Sequence, residues 1–262
     1  MRERISPHRP QAERRNWRKW LLLLAPVLAV IAYLVYQFLI PATGSGRWAY
    51  FRALLLDRES LSEFMLQPGM RCGNAPFAFP TTGAIIGLWD QSYRAGHRHQ
   101  GLDIFPGTAP GVTAVYAAYS GYLTRQSDWQ ASVIIRIPED PLQPNRQIWT
   151  YYTHMASRDG DAFISEAFPP GTFEVYVEEG TLLGYQGDYS GDPLNPTGLH
   201  LHFSVVRDDG QGSFLNELDI DNTYDPGPYF NLVTDNNLNP DEIPICEDEI
   251  QFADWVPERT DG

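Results

Sequence analysis

Two histidines alternate with apolar residues in the segment Gly198–Phe203, GLHLHF. Side chains along a β-strand point alternately to its two faces. His200 and His202 are therefore predicted to share one face of a strand, about 7 Å apart, while the apolar residues face a core. Two neutral imidazoles at this spacing can bind one divalent metal ion or flank it. Such a pair also occurs as ordinary surface or core histidines, so it does not define a metal site alone.

A second group of metal-binding side chains precedes this pair. His99 and Asp103 are four residues apart, and Gly101 between them is expected to allow a tight bend. These two residues and one imidazole of the later strand make three protein ligands and leave a fourth position for water, as in a catalytic zinc site. His154 ends the strand-like run Ile148–His154 and adds another imidazole. Together these segments predict a metal site.

Other catalytic chemistries lack their residues. The chain has one lysine, Lys19, so the globular part has none for Schiff-base, phosphate-loop or kinase chemistry. A Gly-x-Ser-x-Gly elbow, a Gly-x-Gly-x-x-Gly loop, paired Cys-x-x-Cys motifs and a His-Glu-x-x-His helix are also absent from the sequence. Without a carboxylate base of the last kind, a histidine has to serve as the base.

Net charge excludes nucleic acid as a partner. The first twenty residues hold seven basic and two acidic side chains, net +5, and the rest holds twelve and thirty-one, net −19. Phosphate binding needs clustered Lys and Arg, which the acidic body does not have.

Short β-like runs dominate from Phe77 onward, separated by Gly, Pro, Asn and Asp. After residue 70 the sequence shows no long amphipathic helix, which predicts a mainly β fold with an antiparallel, sandwich-like sheet. The predicted strands lie within Gly83–Trp89, Thr113–Tyr116, Gly121–Arg125, Ser132–Ile137, Gln147–His154, Thr181–Gln186 and Leu199–Val206.

An apolar run of twenty-one residues, Trp20–Ile40, precedes this region. As a helix it would be about 31 Å long, the thickness of a bilayer core. Basic residues directly before it place the N-terminus in the cytoplasm and residues 41–262 outside. The sequence therefore predicts a single-pass membrane protein with an extracytoplasmic catalytic domain. A cleavable signal peptide, cut near Ala42 and Gly44, is the alternative.

The predicted organisation has five parts: a basic cytoplasmic tail (1–19), a transmembrane helix (20–40), a short helical membrane-proximal segment (41–76), the β domain (77–232) and an acidic C-terminal tail (233–262). The membrane-proximal helix is expected to break near Asp57–Ser60 and to pack on the domain. Outside the cytoplasm Cys72 and Cys246 can form a disulfide, although spacing alone does not exclude two buried thiols.

The motifs resemble those of the lysostaphin/LytM-type zinc metallopeptidases, and the likeness runs in order from about Phe77 to Phe230. His99–Asp103 is similar to the family motif H-x-G-x-D, and Gly198–Phe203 to G-P-H-L-H-F. Further similar segments are Phe105–Gly121, Tyr152–Met155 (YTHM), Gly180–Gly187 (GTLLGYQG) and Tyr224–Pro226 (YDP). Two departures concern the substrate groove, namely the long proline-rich segment Gly191–Thr197 and Leu199 in place of a proline.

The resemblance implies a zinc endopeptidase that hydrolyses peptide bonds of bacterial peptidoglycan, in stem peptides or cross-bridges. His99, Asp103 and His202 would bind Zn²⁺, while His154 and His200 would assist the metal-activated water as acid and base. His97 matches no position of the motifs and is expected at the surface or behind the ligands.

Three rival functions remain at this stage. A catalytically silent LytM-like module would bind cell wall or regulate another wall hydrolase. A cysteine hydrolase would use Cys72 as its nucleophile, and a disulfide to Cys246 would eliminate it. A serine hydrolase is disfavoured by the missing elbow motif.

Overall fold

The computed structural model describes residues 24–33, 50, 53–54, 58–91, 96–234 and 242–256, in two units that divide after Gly44. In the first unit, residues 24–33 are helical and exposed. Within the described ranges no helix combines the length and the apolar character that a bilayer crossing requires. The transmembrane helix predicted over 20–40 is therefore not supported by the described residues. Its two ends, and the whole basic tail 1–19, lie outside them.

The second unit is built from short antiparallel strands, as the sequence predicts. In chain order the strands of the described residues are β1 (Met70–Cys72), β2 (Ala84–Gly87), β3 (Leu102–Phe105), β4 (Ala114–Tyr116), β5 (Gly121–Thr124), β6 (Val133–Ile137), β7 (Ile148–Thr153), β8 (Val175–Val177), β9 (Leu182–Tyr185), β10 (Leu201–Arg207), β11 (Thr223–Tyr224) and β12 (Ile250–Phe252). Each of the seven predicted runs overlaps one of them. Strands β1, β3, β8, β11 and β12 were not predicted from the sequence.

Eight strands form the main sheet, in the order β2-β3-β10-β7-β6-β5-β8, with β11 paired to β10. Two small sheets, β4-β9 and β1-β12, accompany it. Val115 of β4 and Leu183 of β9 belong to the same buried apolar cluster as the core residues of the main sheet. The small sheet β4-β9 thus covers the apolar face of the large one, which is the sandwich-like arrangement predicted.

Strand β10 has one apolar face, which packs in the core, and one polar face. Leu201, Phe203 and Val205 are fully buried in the main core cluster. Side chains alternate along a strand, so His202 and Ser204 lie on the opposite face. The alternation predicted from the sequence is confirmed.

The C-terminal segment is not a free solvated tail. Strand β12 pairs with β1, and Cys246 forms a disulfide with Cys72 across 174 residues of sequence. Trp255 packs against Tyr116 at 5.2 Å between ring centroids and donates its indole N–H to Glu179 at 3.2 Å. The disulfide decides between the two alternatives that the sequence left open, and it eliminates Cys72 as a nucleophile because its sulfur is already bonded.

The membrane-proximal segment packs on the domain where it is described. A short 3-10 helix covers Arg58–Phe64, and Leu61 within it is 1% exposed. Leu54 and Phe64 pack against a small buried cluster that includes Ile86 of β2. Packing on the domain was the expected role of these apolar residues. The expected break at Asp57–Ser60 begins outside the described residues.

Candidate metal centre

Three buried side chains meet where β3 and β10 pair. The register places His202 directly opposite Asp103, and Nδ1 of His202 lies 2.9 Å from Oδ1 of Asp103. His99 lies three residues before β3, and its Nε2 is 2.9 Å from the same Oδ1 and 3.0 Å from Nδ1 of His202. The three donor atoms lie within 4.8 Å of one another. We call these residues the metal trio. The structure thus brings together the three ligands expected from the sequence.

Gly101 lies at a bend, as expected from the sequence, and close packing also requires a glycine there. A Cβ atom at this position would lie 2.2 Å from the carbonyl oxygen of Phe203 and 2.8 Å from Oγ of Ser204. The chain between His99 and Asp103 therefore runs against the backbone of β10, and only a residue without a side chain fits there.

Hydrogen bonds to the outer nitrogens orient both imidazoles. Nδ1 of His99 lies 2.8 Å from the carbonyl oxygen of Leu88, which can only accept, so His99 donates from Nδ1 and presents Nε2 to the site. His202 is turned the other way. Its Nε2 lies 2.8 Å from Oε1 of Glu217 and 2.8 Å from Oγ of Ser204. His202 therefore presents Nδ1, so the two rings offer different nitrogens.

Glu217 is the site residue that the sequence analysis missed. It lies fifteen residues after His202, in the irregular segment between β10 and β11. Its Oε1 contacts Nε2 of His202 and also accepts a hydrogen bond from the hydroxyl of Ser204 at 2.7 Å. A lone glutamate in a loop belongs to no metal-binding pattern. Only its distance from His202 in the folded chain identifies it.

Charge within the site favours a cation. Burial opposes ionisation of Asp103, but His99 and His200 hold the pKa of its carboxyl well below the usual range. Burial likewise lowers the pKa of His202, but the charge of Glu217 and the bonds to both carboxylates raise it to about 10 in the metal-free protein. The pKa of Glu217 is lowered because His202 outweighs the effect of burial. Both carboxylates are therefore ionised at neutral pH.

Two further imidazoles flank the trio, and we call His154 and His200 the histidine pair. Their ring centroids are 4.6 Å apart, and Nε2 of His200 is 3.4 Å from Oδ1 of Asp103. Nδ1 of His154 bonds to the carbonyl of Tyr189 at 2.7 Å, and Nδ1 of His200 to the carbonyl of Gly198 at 3.0 Å. Both rings thus keep Nε2 for exchange of a proton.

His154 is held in an unfavourable conformation. Its φ is +69°, in the left-handed region that costs a non-glycine residue free energy. The chain at Gly187 runs close to the backbone of His154 and leaves no room for a side chain. A Cβ at Gly187 would lie 2.0 Å from the carbonyl oxygen of Ala156 and 2.6 Å from that of His154. Burial, followed by the charges of His200 and His202, lowers the pKa of His154 to about 3. His154 is therefore neutral at physiological pH.

The remaining predicted neighbour is His97. It is half-buried, and its ring lies 6.5 Å from that of His99, nearly parallel to it. It thus lies beside His99. Phe105 of β3 stacks on His200 at 4.9 Å between centroids.

Comparisons with known proteins give a resemblance at the level of solved structures. No family model matches the chain. No curated protein matches it. A putative glycyl-glycine endopeptidase LytM from Ruminococcus gnavus is 23% identical over 50% of this chain and 45% of its own, with a TM-score of 0.33.

Two further solved structures are similar. The catalytic domain of the prophage-encoded M23 protein EnpA from Enterococcus faecalis is 18% identical over 58% of this chain and 94% of its own, with a TM-score of 0.34. The solution structure of lysostaphin is 19% identical over 62% and 54%, with a TM-score of 0.34. The chain spans about half the length of the first and last of these structures.

Proposed function

We propose that the chain is a zinc-dependent endopeptidase that hydrolyses peptide bonds of bacterial peptidoglycan. The observation that carries the proposal is the metal trio, in which two imidazole nitrogens and a carboxylate oxygen converge within 4.8 Å. Hydrogen bonds to Leu88 and Glu217 turn the inward nitrogens of both rings toward the same point. Three such ligands with a fourth position open to water are typical of catalytic zinc.

The donor set fits zinc in its chemistry as well as in its number. Two imidazoles and one carboxylate suit this ion, and the outer bonds of His99 and His202 are those expected behind metal-binding histidines. When bound, zinc supplies a Lewis acid that polarises a carbonyl group and lowers the pKa of water from about 15.7 to about 7.

The histidine pair supplies proton transfer. Nδ1 of His154 bonds to the carbonyl of Tyr189, so the neutral ring keeps Nε2 available to accept a proton during attack on the peptide carbonyl. His200 lies 3.4 Å from Asp103, close enough to share in orienting the reacting groups. One ring takes the proton from water and a protonated ring returns one to the leaving amine. Either histidine can also stabilise negative charge that develops on the carbonyl oxygen.

The motif resemblance supports peptidoglycan as the substrate. A cavity on the same face of the sheet as His202 supports a substrate that extends beyond the cleaved bond. Trp149 is on the same face of β7 as Thr153, which pairs with His202. A cavity of about 790 Å³ lies against Trp149, Phe214 and Arg136 on that face. Contacts there, about 13 Å along the sheet from the trio, suit a part of the substrate remote from the cleaved bond.

Mass spectrometry of fragments released from purified peptidoglycan tests the function. We expect newly freed peptide ends in the products, loss of release after chelation, and recovery when zinc is restored. Identification of the freed residues would also define the bond that is cut. A chain that binds peptidoglycan and zinc but releases no fragment would instead be the silent module. Release that persists in strong chelator would contradict zinc dependence.

The disulfide and the apolar run together support an extracytoplasmic location for the catalytic domain. Disulfides persist outside the reducing cytoplasm, and the basic residues before residue 20 favour an N-terminus inside. In this proposal residues 20–40 anchor the chain as a single-pass segment. Protease treatment of intact spheroplasts should digest the domain while leaving cytoplasmic markers whole. Recovery of the intact chain in the soluble cytoplasmic fraction would contradict it.

A further inference from the structure

Glu217 takes no part in the proton transfer proposed above, although it contacts His202 of the metal trio directly. We propose that Glu217 is a positioning residue that holds His202 as an Nδ1 ligand and thereby sets the affinity of the site for a divalent metal ion. The inference rests on the proposed metal site and adds to it a residue outside the ligand set.

The first support is the direction of the bond. Oε1 of Glu217 lies 2.8 Å from Nε2 of His202, whereas Nδ1 of the same ring lies 2.9 Å from Asp103. The two nitrogens of an imidazole lie on different edges of the ring. Glu217 therefore contacts the outer edge of the ring only. Because Nε2 carries the proton that it donates in the hydrogen bond to Glu217, Nδ1 is the nitrogen available to a metal ion. Behind a metal-binding histidine, a carboxylate fixes the tautomer and increases the basicity of the ligand.

The second support is that Ser204 reinforces the contact. Its hydroxyl donates to Oε1 of Glu217 at 2.7 Å and lies 2.8 Å from Nε2 of His202. Ser204 follows His202 by two residues on β10, so it is held on the same face. It is fully buried. The carboxylate is thus fixed by a rigid strand as well as by the imidazole.

The third support is that hydrogen bonds fix the backbone of the segment around Glu217, and one of them comes from the motif His99–Asp103. Nε2 of Gln100, next to His99, donates to the carbonyl of Leu218 at 2.9 Å. The backbone N–H of Leu218 donates to Oδ1 of Asn216 at 3.1 Å, and Nδ2 of Asn222 donates to the carbonyl of Asn216 at 2.9 Å. These bonds hold the backbone on both sides of Glu217. The loop is therefore ordered for its contact and does not meet His202 by chance.

Zinc affinity of two variants tests the inference. Glu217→Ala removes both the charge and the acceptor, and loss of such an outer partner costs about 10- to 100-fold in metal affinity. Glu217→Gln keeps an amide oxygen that can accept from Nε2, so we expect it to recover part of this loss. Competition with a chromophoric chelator measures the affinities of the full chain. Glu166→Gln, at an exposed glutamate, is the matched control and should bind zinc like the wild type.

Nitrogen-15 NMR of the zinc-loaded protein supplies a readout that a merely structural role would not move. In the wild type His202 should bind zinc through Nδ1 and carry a proton on Nε2. Glu217→Ala should weaken this preference, and the Nε2 proton should exchange faster with solvent. If Glu217→Ala does not fold, the affinity and the spectrum of Glu217→Gln decide.

The results separate this inference from the function on which it rests. A wild-type chain that does not bind zinc overturns the metal site itself. A wild-type chain that binds zinc, with both folded variants within two-fold of its affinity, overturns the role of Glu217 and leaves the metal site standing.

Discussion

The metal trio and the histidine pair lie side by side but are built differently. Asp103 and His202 are opposite one another on paired strands, and their surroundings are buried side chains. His154 follows the last residue of β7, His200 precedes the first residue of β10, and both rings bond to carbonyls of the irregular segment 188–198. The proposed metal site is thus built mainly on the sheet, and the proposed proton-transfer pair on a loop.

This difference implies that the two functions can be separated. Strand register and side-chain bonds hold Asp103 and His202, and a bond to the carbonyl of Leu88 orients His99. Damage there should remove the metal and everything that depends on it. Loop carbonyls hold the histidine pair, so changes there should alter catalysis while the metal stays bound. Five experiments, ordered by the size of the expected effect, test the separation.

The largest effect is expected for His202→Ala. It removes one of three ligands and leaves Glu217 buried without its histidine partner. Zinc content and peptidoglycan hydrolysis should both fall to background, as measured by metal analysis and by fragment release. His97→Ala, next to the trio but outside it, is the control and should keep zinc. Full zinc occupancy in folded His202→Ala would show that the trio is not the metal site.

His154→Ala should retain zinc but lose hydrolysis by about 10²- to 10⁴-fold, the usual contribution of a general acid or base. The substitution leaves all three ligands in place. Zinc analysis and kcat on the same preparation measure the two properties together. His200→Ala provides the comparison within the pair, and the larger loss in kcat identifies the principal base. Full activity of His154→Ala would contradict its role in proton transfer.

One histidine of each region, His202 and His154, should also differ in charge state when no metal is bound. The pKa of His202 is raised to about 10 and that of His154 is lowered to about 3. Ring nitrogen-15 shifts of chelator-treated protein at pH 6 should therefore show a protonated His202 and a neutral His154. A His154 that titrates near 6.5, the ordinary histidine value, would contradict the arrangement.

The shift of His154 also determines how acid affects stability. An unfolded histidine takes up a proton as the pH falls below about 6.5, while folded His154 does not until the pH approaches its lowered pKa. The contribution of this residue to stability is therefore present above pH 6.5 and decreases as the pH falls towards 3. Denaturant unfolding of the metal-free chain should show a smaller loss over this range in His154→Ala than in the wild type.

The smallest effect is expected for Phe105→Leu. Phe105 stacks on His200 at 4.9 Å, and loss of a stacked ring costs about 0.5–1.5 kcal/mol. This corresponds to a decrease of about 2- to 12-fold in kcat, with zinc affinity unchanged, because the ring supports the pair. Phe79→Leu, at a core ring that packs on Phe230, is the control for general loss of packing. A change in zinc affinity without a change in kcat would show that Phe105 supports the metal trio and not the histidine pair.

The sequence was most informative about the strands. The alternation of GLHLHF predicts which residues of β10 face the core, because a strand has a two-residue period that can be read locally. Strand β3 was missed, although it carries Asp103. Its four buried residues, LDIF, have no alternation from which a strand could be recognised, and pairing with β2 and β10 makes them one.

The residue types of the site were predictable from the sequence, but the orientations of its imidazole rings were not. The histidines and Asp103 could be named because their spacing and motif resemblance are properties of the chain itself. The direction of each imidazole depends on Leu88 and Glu217, which are eleven residues before His99 and fifteen residues after His202. No local pattern links such positions.

By itself, the sequence determined which side chains are available for chemistry and which residues of β10 face the core, because both follow from residue identity and local periodicity. Tertiary structure decided that β3 pairs with β10 in the register that puts Asp103 opposite His202. It also decided which nitrogen each ring presents and that the C-terminal segment returns to β1. These features depend on contacts between residues far apart in the chain, whose energies exist only once the core has brought the strands together.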